Sequence, residues 1–280
     1  MIPDWQTDLV FFSDLLQARH PDLLQGLVRI LDEAGVGHRL LGGTRDIWAR
    51  DYMPVQAAKG DFVLFRYEPS YLDDDEESVT PEEARRAVPT GTKLRPSGIN
   101  LDGGNVVASS TRAILTAQVY WENPEYDRPA LRQELAHVLQ AECILVCGDP
   151  DDVFGHADGV VRFLDEGRVV VNDYREEHLD YGEGLEAALS RHGLAVERLP
   201  YAPTDEEHDG IPSAVGCYLN FLRVGQLVVM PAFGLPQDDL ACRTLERLLP
   251  GAGVVPLRCE GLASKGGVLN CVSWTVKAGK

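Results

Sequence analysis

Five side chains able to do chemistry stand in four short segments, each set beside glycines or a turn. They are Asp51 in DIWARDYMP, Asp102 in NLDGGNVV, His156 and Asp158 in GHADG, and Cys271 in SKGGVLNCVSW. Each has a plain structural reading. Asp51 beside Trp48 and Arg50 suits an ion pair, and Asp102 before two glycines suits a turn cap. His156 suits a satisfied histidine, with Asp158 on the same face of an extended segment. Cys271 in an apolar run suits a small buried hydrophobe.

Together the five supply a complete set of parts. An ionised cysteine is a strong nucleophile. A histidine shuttles protons near neutral pH, and one carboxylate can orient it. Two further carboxylates remain, and beside a thiol they would hinder its ionisation. They make sense when the substrate is a cation that neutralises them. A planar guanidinium pairs bidentately with carboxylates and carries an electrophilic carbon, so it is the natural candidate.

The elements that must hold these segments alternate along the chain. Leu23, Leu24, Leu27, Val28 and Leu31 recur at helical spacing up to Gly35. Leu131, Leu135, Val138 and Leu139 do so after Pro129, Leu185 and Leu189 before Gly193, and Leu240, Leu245 and Leu248 before Pro250. Between them lie strand-like runs: LVFF, FVLFRY, VVASS, AILTAQV, CILVC, VVRFL, VVVNDY, CYLNFLRV, LVVMPAF, VVPLR and VSWTV. Strands outnumber helices about two to one. That predicts repeated strand-strand-helix units, in an α/β or α+β fold, rather than strict alternation. The polar loop APTDEEHDGIPSA is expected to have no strand and to cover a site. Asp73, Asp74, Asp75, Glu76 and Glu77 read as a solvated loop before an exposed helix rather than a calcium site.

The 280 residues carry a formal net charge of −18 and are 44% hydrophobic, enough for a real core. The acidity argues against nucleic acid and anionic membrane surfaces, and suits a cationic substrate. No apolar run reaches the length of about 18 residues that a membrane span needs. No basic and apolar leader opens the sequence. The six cysteines form no paired C-x-x-C pattern, so reduced thiols in a cytoplasm are expected, with Cys143 and Cys147 in the core.

WARDYMP, LDGGN, GHADGVVRF, YLNF followed by VVMPAFG, and GGVLNC occur in that order. In this the sequence resembles the agmatine deiminase and bacterial-type peptidylarginine deiminase family of the guanidine-modifying superfamily. The resemblance runs from about residue 40 onward. It implies a single pentein domain over residues 1–280, a five-bladed α/β propeller of strand-strand-helix-strand units. By position, Cys271 matches the nucleophile, His156 the general acid/base, and Asp102 the acid that orients the histidine. Asp51 and Asp158 match the carboxylates that grip the guanidinium, with Trp48, Asn105 and Arg162 as supporting residues. The implied reaction is deimination of agmatine or a related small guanidine through a thiouronium intermediate. It uses neither a metal nor an organic cofactor, and a homodimer is the expected assembly. Two departures stand out: Asn270 precedes Cys271 where agmatine deiminases usually carry histidine, and Asp102 replaces their common glutamate.

Other readings stay open on the residues alone. A peptidylarginine deiminase or an amidinotransferase would use the same intermediate. A metal-dependent hydrolase would take Asp51, Asp102, His156 and Asp158 as ligands and leave Cys271 idle. A non-catalytic guanidine binder would keep the pocket without turnover.

Overall fold

Five three-stranded sheets share one plan in the computed structural model, which describes residues 1–72 and 76–278. In each, a short strand pairs antiparallel with a middle strand, and a crossover returns a third strand parallel to it. The middle strands are Leu9–Ser13, Asp61–Arg66, Arg112–Thr116, Arg168–Asn172 and Leu227–Ala232. These are the most apolar runs of the sequence, and nearly all their residues are buried.

Helices fill most of the crossovers. Pro21–Glu33 begins with proline at its first position and buries Leu24, Leu27, Ile30 and Leu31. Gly35, at φ +67°, turns the chain past its end. Arg128–Leu139 is capped by the Asp127 carboxylate, which accepts from the Ala130 N–H at 3.0 Å. Leu179–Arg191 and Asp238–Leu248 complete the set. Among its described residues the second crossover carries the single-turn helix Glu82–Arg85 and two 3-10 turns, Ser70–Leu72 and Glu76–Ser78. Three residues of the acidic run, Asp73, Asp74 and Asp75, lie outside the described residues.

The third strands are Gly37–Leu41, Lys93–Asn100, Glu142–Val146, Ala195–Leu199 and Gly253–Arg258. Three of them, in GHRLL, KLRPSGIN and AVERL, lack the apolar runs that mark the others. All three are edge strands with mostly exposed or half-buried residues. CYLNFLRV is strand only at Leu222–Val224; Cys217 makes an isolated bridge to Tyr201, and residues 218–220 turn the chain between that bridge and the strand. AILTAQV ends as strand at Thr116 and turns into the helix Gln118–Trp121. Cys143 is buried in its strand as expected, but Cys147 lies beyond it and is exposed. The loop of residues 202–214 holds a small ladder, Glu207–His208 with Ile211–Pro212. Asp209 at φ +54° and Gly210 at +78° make its turn.

Apolar clusters join consecutive units. One holds Phe62 with Phe11 and Trp274, the next Val63 with Leu115 and Leu131, and a third Ile144 with Val161 and Val169. The largest packs Val170 and Leu199 with Met230 and Leu245, and these with Phe12 and Leu27. The first sheet is completed by Ser273–Val276, which pairs antiparallel with Leu9–Ser13, Leu9 opposite Val276. Among the described residues no helix is long and apolar enough to cross a membrane.

Candidate active site

The four reactive segments, far apart in sequence, converge. Asp51 lies in the single-turn helix Ala49–Tyr52. Asp102 and His156 each immediately precede a 3-10 turn, Gly103–Asn105 and Ala157–Gly159, and Asp158 sits within the second. Cys271 stands two residues before the strand Ser273–Val276. His156 Nε2 is 3.0 Å from Asp102 Oδ2, and its Nδ1 is 3.5 Å from Asp51 Oδ1. Cys271 Sγ lies 3.8 Å from Asp158 Oδ2. Tyr71 donates its hydroxyl to Asp102 Oδ2 at 2.9 Å, and the His156 N–H is held by Asp152 Oδ2 at 3.2 Å.

Asn220 joins this group without having been singled out in the sequence. Its Oδ1 accepts from the backbone N–H of Asn270 at 3.0 Å and of Cys271 at 3.3 Å. Those two donors fix the amide so that Nδ2 faces Cys271 Sγ at 3.2 Å. The available signal was YLNF, a polar residue inside an apolar run. Asp46, five residues before Asp51, was also missed. It is buried beside the site and accepts from the Trp48 N–H at 2.8 Å.

Burial, then Asp158 and Asp51, push the Cys271 thiol well above its ordinary pKa. Burial alone would lower His156. Asp51, Asp102 and Asp158 outweigh it and push the imidazole up to about 10, so it carries a proton at neutral pH. Burial, with Asp102, Asp158 and Asp46, raises Asp51 against the opposing pull of His156. One imidazolium thus faces four carboxylates around a thiol that resists ionisation, which leaves room for a further cation.

Two cavities meet at Cys271 and His156. The larger, of about 420 Å³, is walled by Trp48, Asp51, Tyr71 and Phe154. The other, of about 180 Å³, is walled by Asp158, Asn220 and several more carboxylates. Residues of the loop 202–214 line both, in keeping with its expected covering role. Trp48 packs over Gly267, where a Cβ would lie 2.6 Å from its ring. Asn105 and Arg162 are elsewhere. Asn105 accepts from the Thr116 N–H at 2.8 Å and braces the chain. Arg162 is pinned by Asp4 at 2.5 Å and the Phe221 carbonyl at 2.8 Å, with its guanidinium over the Phe221 ring. Neither lines a cavity that reaches Cys271, so the structure places both as braces of the surrounding chain and only Trp48 of the three supporting residues at a cavity wall.

The glycines around His156 also divide. Gly155 has φ +66°, which favours glycine, whereas a Cβ on Gly159 would meet nothing within 4 Å. The glycines that must lack a side chain are Gly103, pressed on the Arg50 carbonyl, and Gly104, whose N–H donates to Asp51 Oδ1 at 3.2 Å. Among the described residues Asp51, Asp102, His156 and Asp158 form no group with ligand atoms close enough for one metal. Asp149, Asp151 and His178 do, within 4.8 Å, and there His178 already pairs with Asp151.

Asp46 gives a stability test. Burial pushes its carboxyl up to about 7, with the Trp48 N–H and Arg19 opposing and Asp102 reinforcing. The folded state therefore binds this proton more tightly than the unfolded chain. Its contribution to stability is full below about pH 4 and is lost as pH rises to about 7. Asp46→Asn is expected to shrink the fall in urea midpoint between pH 5 and pH 8. A fall equal to that of the wild type would contradict the assignment.

The fold is that of solved deiminases and amidinotransferases. The agmatine deiminase of Enterococcus faecalis superposes with a TM-score of 0.78 at 15% identity, over 98% of this chain and 94% of its own. An amidinotransferase from Microseira wollei superposes with a TM-score of 0.65 at 13% identity, over 99% and 96%. At such identity the likeness speaks to the fold alone. Within that class the chain belongs to the Porphyromonas-type peptidyl-arginine deiminase family, whose model matches residues 32–276. A Streptococcus mutans protein assigned as an agmatine deiminase is 25% identical over 204 residues, which cover 62% of this chain and 55% of that protein. The chain spans little more than half the length of the curated relatives it matches.

Proposed function

We propose that the protein is a hydrolase that deiminates a small guanidine, with agmatine the first candidate, to a ureido product and ammonia. The observation that carries this is the half-buried Cys271 thiol 3.8 Å from the Asp158 carboxylate. That pairing opposes thiolate formation unless a cation enters between the carboxylates. A guanidinium held by Asp51 and Asp158 is such a cation, and its carbon is the electrophile the thiolate needs.

In this mechanism the guanidinium, held between the carboxylates, offsets their charge so that the Cys271 thiol loses its proton to solvent water. Sγ then attacks the guanidinium carbon while Asn220 Nδ2 supports the thiolate. His156, oriented by Asp102, gives its proton to the departing ammonia. A thiouronium ester remains on Cys271. His156 then takes a proton from water, water oxygen attacks the same carbon, and the C–S bond breaks to return the thiolate. The five sheets, each packed on the next and the fifth on the first, support a five-bladed propeller that forms one catalytic domain across residues 1–280. The free thiols suit a reducing compartment such as the cytoplasm, and a homodimer is the assembly proposed.

The test is ureido product and ammonia release from agmatine, arginine, arginine-terminated peptides and methylated arginines, with and without chelator. Chelator-insensitive turnover of one guanidine is expected. Binding of a guanidine without turnover would replace the enzyme with a binder.

A further inference from the structure

Arg50 lies beneath the site and is not among the groups that reach the substrate. Its Nη2 donates to Asn270 Oδ1 at 3.2 Å and to Thr275 Oγ1 at 3.2 Å. Asn270 Nδ2 in turn donates to Asp158 Oδ2 at 2.6 Å. An arginine demands an acceptor and a carboxylate demands a donor, so only one orientation of the amide serves both. The same residue ties two further parts together. The Arg50 N–H donates to the Cys271 carbonyl at 3.0 Å, and Asp51 is the next residue in the helical turn.

Stability alone explains Arg50 poorly. Its Nε is buried with no hydrogen-bond partner, and a buried donor left unpaired is destabilising. The charges around it are Asp4, Arg162, Asp158 and Asp51. Arg162 is pinned to Asp4. Asp4 is the strongest attraction on Arg50, and Asp158 and Asp51, the two carboxylates assigned to the substrate, add to it.

We propose that Arg50 is a positioning residue that acts through Asn270. The pair holds Asp158 by Oδ2 so that its other oxygen is presented to the guanidinium, and it places a fixed positive charge behind the carboxylate that faces the thiol. Asn270 is then a connector between a buried cation and a substrate-gripping anion. This inference rests on the deiminase reading, and its test is built to separate the two.

The variants are Arg50→Met, Arg50→Lys, Asn270→Ala and the double change Arg50→Met with Asn270→Ala. Steady-state kinetics on agmatine and the pH dependence of Cys271 alkylation by iodoacetamide are measured for each. Arg50→Met and Asn270→Ala are each expected to raise KM about tenfold with a smaller change in kcat, as loss of a contact made equally in ground and transition states requires. The double variant is expected to fall no further than the worse single one, because both break one connection. Arg50→Met is expected to move the alkylation midpoint to higher pH, and Arg50→Lys to bring it back toward the wild type. Additive losses would overturn the proposal. So would an unchanged KM and midpoint with only a lower melting temperature. If Arg50→Met does not fold, Asn270→Ala and Arg50→Lys still decide by the same readouts. If the wild type turns over no guanidine, the functional reading fails, and the alkylation midpoints still decide whether Arg50 acts on the thiol.

Discussion

Cys271→Ala is expected to remove ureido product formation by at least about 10⁴-fold, since no other group can form the covalent intermediate. Cys271→Ser is expected to be nearly as inactive while still binding a guanidine. The residues that grip the cation remain, and the pull of Asp51 and Asp158 on it is untouched. Isothermal titration with agmatine, run beside the turnover assay, separates the two effects. Residual turnover within tenfold of the wild type would show that the thiol is not the nucleophile. The raised thiol pKa adds a kinetic signature. The thiol of the unliganded protein should react slowly with iodoacetamide at neutral pH, because burial, Asp158 and Asp51 keep it protonated.

The second large effect is expected from a residue with no reactive group. A Cβ on Gly104 would lie 2.7 Å from His156 Nδ1 and closer still to Asp51 Oδ1. Gly104→Ala must therefore displace the base, the carboxylate, or both. A misplacement near 1 Å costs about 100-fold in rate. The clash falls on two side chains rather than on backbone, so the loss should appear in kcat/KM far more than in melting temperature. Activity within threefold of the wild type would mean that the spacing of Asp51 and His156 is not critical.

How far the sequence disclosed this molecule depended on burial. The middle strands were legible because each fully buried Val, Leu or Phe contributes about 1.5–3 kcal/mol. A run such as LVVMPA, buried throughout, outweighs the ~1 kcal/mol spread of strand propensities. The edge strands GHRLL, KLRPSGIN and AVERL were not legible, because backbone pairing to a middle strand holds them and their side chains face water. The reactive residues Cys271, His156, Asp102, Asp51 and Asp158 were visible as chemistry beside glycines, and the structure places them together. Asn220 was hidden inside an apolar run read as strand. Asn105 and Arg162, supporting residues by the resemblance, find their partners in the Thr116 N–H, Asp4 and the Phe221 carbonyl, which no local pattern announces. Local pattern reports what a side chain can do, and only the tertiary path reports which neighbour uses it.

The pairing of Leu9–Ser13 with Ser273–Val276 has a consequence for biosynthesis. Cys271 is spaced two residues from a strand whose partner was made some 260 residues earlier. On the ribosome, the helices and most sheets can form while the nucleophile is still unmade or in the exit tunnel. The first sheet keeps one side unpaired until Ser273–Val276 has been made and has left the tunnel. Closing so long a loop is entropically slow, and contacts of this sequence separation fold late. Nascent chains can therefore hold Asp51, Asp102 and His156 without the Cys271 thiol, and the proposed nucleophile joins the site together with the strand that completes the first sheet.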